Sequence, residues 1–273
     1  MAANAEGNRP RAHRAVPVSR TFPHAGGASK LFRTTESIPG YGRGSTAITS
    51  TRLAISIALG DTFPMTTPTA LYHYPNRMGR IILLSMEEIM GRNGVNAVLK
   101  LASLSTLIEK YPLDNSELAF SFSTVSTLTE MLEQVYGPHG GRGLAMRIGR
   151  ACFNSGVRQY GTQLGLTEMA FRLLPLPAKL HAGASAFAEL FNRFTDQRVR
   201  VEEEDGKLLW HIERCPLCWE RHTYEPVCHL AVGLLQEALY WVSGGKVFNV
   251  EEKTCIAAGD KTCTIVIDQS PIF

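Results

Sequence analysis

The stretch VEEKTCIAAGDKTCTIVI, residues 250–267, predicts the end of the chain as two strands joined by a turn. The strands are expected at 246–251 and 262–268. Ala258-Gly259-Asp260 between them is typical of a turn, because Gly accepts unusual backbone angles and Asp hydrogen-bonds to its own neighbourhood. Such a turn would fold the chain back so that Cys255 and Cys263 face one point.

A metal site is the first functional prediction. Cys228 lies 27 residues before Cys255, and Glu252 lies three residues before it. Zn²⁺ takes four ligands in tetrahedral geometry and accepts both thiolate sulfur and carboxylate oxygen. The alternative is that free cysteines here are only small buried hydrophobic residues. The spacing favours zinc, with the ligands Cys228, Glu252, Cys255 and Cys263.

Immediately upstream, the sequence predicts a hairpin and a helix. Apolar and charged residues alternate over 199–203 and resume alternation over 208–212, and Asp205-Gly206 between them is a strong hairpin signal. Residues 228–241 then have apolar residues at helical spacing, and Gly244-Gly245 ends that helix.

The first half of the folded part has helical periodicity. Five helices are expected, at 77–91, 93–104, 123–136, 142–164 and 179–194. Helices followed by strands indicate an α+β protein. The predicted fold is a set of N-terminal helices packed on a C-terminal four-stranded antiparallel sheet with one intervening helix, braced by zinc.

Composition divides the chain further. Residues 1–64 carry eight Lys or Arg and three Asp or Glu, whereas residues 65–273 carry 20 and 22. The first segment lacks apolar periodicity and is expected to be a disordered leader, or a stretch upstream of a true start at Met65. The remainder is expected to comprise a helical part at 65–198 and a sheet domain at 199–269. Its slightly acidic balance argues against a nucleic-acid surface.

The expected cellular location is predicted from two kinds of segment that the sequence lacks. There is no run of the ~18–20 apolar residues that a membrane span needs, and the first residues do not form a secretory signal. Reduced cysteines in a chain of this size then favour a cytoplasmic protein over a disulfide-bonded secreted one.

Cys215-Pro-Leu-Cys218 is a second cysteine motif. A CxxC pair often supplies half of a zinc site, and Cys228 with His222 or His229 would complete it. The motif would then extend or compete with the first site, since Cys228 serves two metals only by bridging them. A structural loop and a redox pair are the alternatives. Cys215 and Cys218 are therefore second-choice metal ligands.

Three segments together resemble the 4-vinyl reductase domain, which occurs in bacteriochlorophyll-pathway proteins and in sensor modules of aromatic-responsive activators. They are YPNRMGRIILLSMEEIMG at 74–91, GPHGGRGLAMRIGRACF at 137–153, and the region 199–268. The resemblance implies zinc at the same four ligands. It also implies a hydrophobic ligand cavity between the helices and the sheet.

Four residues are candidates for contact with a ligand in such a cavity. Trp210, His211 and Tyr224 each offer a hydrogen-bond donor beside an apolar body. Phe187 belongs to a run of bulky apolar residues before the hairpin. The alternative for each is an ordinary core or surface position.

Three functions are compatible with the sequence. The favoured one is a small-molecule-binding protein for a hydrophobic or aromatic ligand that acts as sensor, carrier or assembly factor. The second is a tetrapyrrole vinyl reductase or its accessory subunit, which the family name suggests. The third is a zinc-ribbon interaction module. No catalytic motif or reductant site is recognisable, so a binding protein is favoured over an enzyme.

A homodimer is also expected. Residues 81–84 are four consecutive apolar residues on a helix, and they cover more than one of its faces. Part of that surface would then need a partner, and a second copy of the chain would supply it.

Overall fold

The computed structural model describes residues 71–160 and 173–272. Its helices and strands, in chain order, are β1 His73–Pro75, α1 Asn76–Leu101, β2 Leu118–Ser121, α2 Phe122–Tyr160, α3 Leu176–Phe194, β3 Arg198–Glu204, β4 Lys207–Arg214, α4 His229–Ser243, β5 Phe248–Thr254 and β6 Cys263–Pro271. Short 3₁₀ helices occur at Ser105–Leu107 and Ile256–Ala258. The α+β class is confirmed. The expectations for residues 1–64 fall outside the described residues.

The C-terminal sheet has the predicted four antiparallel strands, in the order β3-β4-β6-β5, with α4 as the intervening helix. The β3–β4 turn is Asp205-Gly206, and both residues have positive φ, 49° and 72°. Turns of this kind match the twist of the strands that they join. The Asp-Gly signal therefore identified the hairpin correctly.

One face of the sheet is buried, and strand periodicity decides which residues lie on it. Alternate residues of β4 and β6 face each other there, in the pairs Leu208 with Ile267, Trp210 with Ile265 and Ile212 with Cys263. On β5 the same face carries Phe248, Val250 and Glu252. A carboxylate thus occupies a position where the pattern calls for an apolar side chain, and a cysteine begins the central strand β6.

Helices α2 and α4 approach at backbone distance. A Cβ on Gly149 of α2 would collide with the carbonyl oxygen of Leu230, and one on Gly233 of α4 would collide with that of Met146. Only glycine leaves room for this crossing. The close crossing holds α4 against α2, and it thereby fixes the position of Cys228 at the start of α4.

The predicted helix breaks appear as kinks. Gly91 within α1 and Gly137 within α2 have positive φ of 73° and 74°, and each separates two helical segments. Pro138 follows directly and starts the second segment of α2, earlier than the predicted start at 142. Within the described part of the chain, no helix is both long and apolar enough to cross a membrane.

The two-stranded sheet of β1 and β2 was not expected, and it changes which faces of α1 are buried. Gly79 of α1 lies against the ring of Phe120 on β2, while α1 also packs on α2. Ile81, Ile82 and Leu83 are consequently buried in the chain's own core, and of the four consecutive residues Leu84 is exposed. The argument for a homodimer from residues 81–84 is therefore wrong, and a dimer stays a prediction without that support.

Candidate metal centre and apolar cavity

Five buried cysteines converge beside the end of the sheet. Cys215 and Cys218 lie in the loop after β4, Cys228 precedes α4, Cys255 follows β5, and Cys263 begins β6. All five are free thiols. The segments that supply them meet because β6 lies between β4 and β5 in the sheet.

The sulfur spacing fits a tetrahedral metal ion. Sγ of Cys228 lies 3.9 Å from Sγ of Cys255 and 3.8 Å from Sγ of Cys263, and the last two are 3.9 Å apart. Metal–thiolate bonds of about 2.3 Å in tetrahedral geometry place neighbouring sulfurs about 3.8 Å apart. The three cysteines thus already have the separation that a shared ion would impose.

Glu252 completes this group. Its Oε2 accepts a hydrogen bond from the backbone N–H of Cys228 at 2.7 Å, whereas its buried Oε1 has no partner. Burial, followed by the charge of Cys255, raises the pKa of the Glu252 carboxyl to about 9. One ligand atom from each of Cys228, Glu252, Cys255 and Cys263 lies within 4.8 Å of the others. The structure brings the four predicted ligands together.

Backbone hydrogen bonds hold the turn that presents two of these ligands. The N–H of Cys255 donates to Oδ2 of Asp260 at 2.8 Å, and the N–H of Ile256 points to Sγ of Cys263 at 3.3 Å. Gly259 ends the turn with φ of 98°. N–H groups that face thiolates favour the charged sulfur that metals bind.

The CxxC motif belongs to the same cluster. Sγ of Cys215 lies 3.5 Å from Sγ of Cys228, and Sγ of Cys218 lies 3.4 Å from Sγ of Cys263. Cys215, Cys218, Cys228 and Cys263 form a second group within 4.8 Å. Cys263 completes that group where the sequence suggested His222 or His229. Hydrogen bonding from neighbouring thiols, led by Cys215, lowers the pKa of Cys218 and raises the pKa values of Cys228 and Cys263, so Cys218 is the thiol of this group that most favours the charged form.

An apolar cavity adjoins the cluster. It has a volume of about 100 Å³ between the four helices and the buried face of the sheet, and it is partly open as the described residues form it. Its described lining consists of Tyr74, Met78, Ile81, Ile82, Cys152, Phe153, Gly156, Tyr160, Phe187, Leu190, Phe191, Gln197, Trp210, Ile212, Pro216, Leu217, Leu230, Ala231, Leu234 and Leu235. None of these side chains carries a formal charge at neutral pH, which makes the cavity suited to a neutral guest.

The polar groups of the wall are few and neutral. The Tyr74 hydroxyl donates to Oε1 of Gln197. Burial raises the pKa of Tyr74 well above its usual value and the pKa of the Cys152 thiol to about 12. Both groups stay protonated at neutral pH, so each can hydrogen-bond to a guest without adding charge. Sequence reasoning missed all three residues, since nothing in their local pattern marks them.

The four predicted ligand contacts divide into two pairs. Phe187 and Trp210 line the cavity with ring centroids 5.7 Å apart. His211 follows Trp210 on β4 and therefore points to the opposite face of the sheet, where its Nδ1 lies 3.0 Å from Oγ1 of Thr264. Tyr224 is fully exposed. The latter two lie away from the cavity.

The cavity and the cluster share a wall. Pro216 and Leu217 line the cavity, and they are the two residues between Cys215 and Cys218. The carbonyl oxygen of Leu217 accepts a hydrogen bond from Oγ1 of Thr129 on α2 at 3.0 Å. A change in how the cluster holds these cysteines would therefore be felt at the cavity surface.

A second, smaller void lies beyond the aromatic wall. It encloses about 20 Å³, and Phe153, Phe187 and Leu235 line both spaces. The rings of Phe153 and Phe187 meet edge to face with centroids 5.8 Å apart. These two rings separate the voids and so limit the size of the cavity.

No protein-family model matches the chain, and no curated protein matches it. Among solved structures, an H-NOX protein from S. oneidensis in the Fe(II)NO ligation state is similar over 69% of this chain and 97% of its own, with 13% identity and a TM-score of 0.46. An Fe(II) unliganded H-NOX protein from K. algicida is similar over 71% and 95%, with 15% identity and a TM-score of 0.47. Likeness at this level carries no information about what this chain binds.

These comparisons correct two expectations. The identification with the 4-vinyl reductase family is wrong, because no family model matches and the similar solved structures are H-NOX proteins. The assignment of Zn²⁺ as the cofactor is also withdrawn, since those structures are described with Fe(II). The description of the fold as braced by zinc is withdrawn for the same reason.

The cavity formed by the described residues does not fit a haem. Its volume of about 100 Å³ is below the roughly 150 Å³ of an engineered cavity that holds benzene. Its described lining contains no histidine to ligate iron, burial keeps Cys152 and Tyr74 in their protonated forms, and there is no Lys or Arg to pair with porphyrin carboxylates. We therefore derive no function through haem, and the same limits disfavour a tetrapyrrole substrate.

Proposed function

We propose that the protein binds a small, neutral, apolar molecule in the cavity and serves as its sensor or carrier. The observation that carries this proposal is the uncharged lining of a partly enclosed cavity in which Trp210 and Phe187 supply flat apolar surface. Ligand sites are mostly apolar with a few polar groups that orient the guest. Tyr74, Gln197 and Cys152 are the groups available for that role.

Size and charge define the expected ligand class. A volume of about 100 Å³ suits one aromatic ring or a short aliphatic chain after slight expansion of the walls. An ionised carboxylate would lose its hydration without gaining a partner of opposite charge. Single-ring phenols and similar neutral aromatic compounds are therefore the expected guests, with the hydroxyl placed at Gln197 and Tyr74.

We also propose that Cys228, Glu252, Cys255 and Cys263 bind a metal ion. Support comes from the sulfur separations near 3.8 Å and from the unpartnered Oε1 of Glu252. Thiolate ligands select soft and borderline metals. Four protein ligands close the coordination sphere, which gives the ion a structural role at the base of the cavity wall.

The test of the ligand class compares matched compounds on the metal-loaded full chain. Isothermal calorimetry with p-cresol and with p-hydroxybenzoate compares a neutral ring with a charged one of similar shape. We expect binding of the neutral compound alone. Ala231→Phe fills the cavity from α4 and should abolish that binding, while Tyr224→Ala, at an exposed position away from the cavity, should leave it unchanged.

Two results would overturn the proposal. One is a failure of p-cresol, indole and toluene all to bind a folded, metal-loaded protein. The other is equal binding to the wild type and to a folded Ala231→Phe variant, which would place the ligand elsewhere. A circular dichroism spectrum of each variant establishes folding independently of ligand.

A further inference from the structure

The cysteine cluster contains more ligands than one ion can use. Five thiols and one carboxylate meet there, and the groups are Cys215, Cys218, Cys228, Glu252, Cys255 and Cys263. They form two sets of four that share Cys228 and Cys263. The Glu252 set adds Glu252 and Cys255, and the CxxC set adds Cys215 and Cys218.

A single ion bound in either set leaves buried potential ligands without a metal. An ion in the Glu252 set leaves two thiols that are 1% and 2% exposed and lie within 3.5 Å of bound sulfurs. An ion in the CxxC set leaves Oε1 of Glu252 buried without a partner. A buried carboxylate oxygen without a partner is costly, and the two idle thiols have only sulfur contacts, so a state that uses all six groups as metal ligands is favoured.

We propose that the cluster binds two thiophilic divalent metal ions that share the Sγ atoms of Cys228 and Cys263. A thiolate sulfur has three lone pairs and can bond two metals together with its own Cβ. The shared sulfurs are 3.8 Å apart, the edge that two tetrahedra would have in common. Two divalent ions on six ionised ligands leave a net charge of −2, the same as one ion on four ligands, so the second ion adds ligation without adding buried charge.

The sheet topology explains why these two cysteines are the shared ones. Cys263 begins β6, the strand between β4 and β5. On one side it pairs with Ile212, close to the loop of Cys215 and Cys218. On the other side the adjacent strand β5 leads into Cys255. Cys228 stands at the start of α4 above the same point, with its sulfur near Cys215 on one side and Cys255 on the other.

Counting ions in matched variants tests the proposal. The reduced full chain is titrated anaerobically with Co²⁺ as the probe, and native mass spectrometry counts the ions on each folded molecule. We expect two ions in the wild type. Cys215→Ser with Cys218→Ser removes one set, Glu252→Gln with Cys255→Ser removes the other, and each double variant should keep one ion. His222→Ala changes an exposed residue that belongs to neither set, and this variant should keep two ions.

The single-ion alternative predicts a different pattern. The wild type would saturate at one ion, one double variant would be unaffected, and the other would bind none. If the unaffected variant were Cys215→Ser with Cys218→Ser, the four-ligand metal site proposed above would be supported. The sharing of Cys228 and Cys263 by two ions would be refuted. If either double variant failed to fold, the wild-type count alone would decide, since saturation at one ion or none overturns the proposal.

Discussion

The backbone N–H of Cys228 donates to Oε2 of Glu252 at 2.7 Å, across 24 residues of sequence. This bond joins the start of α4 to β5, and Oε1 of the same carboxylate is buried without a partner. One oxygen of Glu252 thus has a structural role, and the other is free to bind a cation. The two roles can be separated by substitution.

Glu252→Gln keeps an acceptor for the Cys228 N–H but removes the anionic ligand, whereas Glu252→Leu removes both. We expect both variants to bind Co²⁺ at least about tenfold more weakly at the site that includes Cys255. In chelator, only Glu252→Leu leaves the Cys228 N–H unpaired, and it should unfold at a free energy about 1–3 kcal/mol below Glu252→Gln. Competition titration and urea denaturation measure the two effects, and wild-type Co²⁺ affinity in Glu252→Gln would contradict the assignment.

The crossing of α2 and α4 gives a second prediction. Gly233→Ala places a methyl group against the Met146 carbonyl, and the two backbones must separate to accept it. We expect a loss of about 3 kcal/mol or more in the free energy of unfolding, the upper end of overpacking costs. Gly143→Ala is the matched control, since a Cβ there meets nothing within 4 Å, and it should stabilise the helix by up to about 1 kcal/mol. Equal urea midpoints for the two variants would rule out a close crossing.

Much of the sheet was predictable because its signals are local. Alternation with Asp205-Gly206 identified the β3–β4 hairpin, and the turn at 258–260 with the spacing of Cys255 and Cys263 identified two converging cysteines. Position on a strand also placed Trp210 correctly. The same rule should have excluded His211, because consecutive strand residues face opposite sides.

The rest depends on contacts between distant segments. The sequence could not reveal that β2 covers one face of α1, so the burial of residues 81–83 was missed. Nor could it join Cys215 and Cys218 to Cys263, since that contact follows from the position of β6 beside β4. The cavity wall likewise combines residues from four helices and the sheet, and Gln197 became recognisable only through its bond to Tyr74.

Alkaline pH gives a third prediction. Burial raises the pKa of Cys152 from an ordinary 9.0 to about 12. The folded state therefore holds this proton more tightly than the unfolded state, so the stabilisation is present below pH 9 and is lost as the pH rises from 9 towards 12. Cys152→Val, which fills similar space without an ionisable group, should show a smaller loss of stability over pH 9–11 than the wild type. Urea midpoints at pH 7, 9, 10 and 11 measure it, and parallel profiles would mean that Cys152 ionises normally.

The two aromatic rings that divide the voids give a fourth prediction. Phe187→Ala should join the cavity to the void of about 20 Å³ beside it, because Phe187 lines both. The variant should lose about 3–5 kcal/mol of stability but bind 2-naphthol more tightly than the wild type does. Leu180→Ala enlarges the second void without opening the wall, and it should not gain that affinity. If calorimetry shows no gain for Phe187→Ala, the two voids are not connected through this ring.

The shared wall at Pro216 and Leu217 leads to the last prediction, a coupling between the metal centre and the cavity. An ion bound by the CxxC set would fix the loop ends at Cys215 and Cys218, so the guest would find its wall already ordered. Removing the metal with a chelator should weaken p-cresol binding roughly tenfold, and by reciprocity the bound guest should raise the metal affinity by the same factor in equilibrium competition with the chelator. Thr129→Val removes the hydrogen bond to the Leu217 carbonyl and should reduce the coupling while leaving the number of bound ions unchanged.

Calorimetry with and without metal measures the effect of the metal on p-cresol binding, and competition with a chromophoric chelator at several guest concentrations measures the effect of the guest on metal binding. Equal p-cresol affinity in the two metal states, in protein that remains folded, would show that the wall is rigid without the metal and that the two sites act independently.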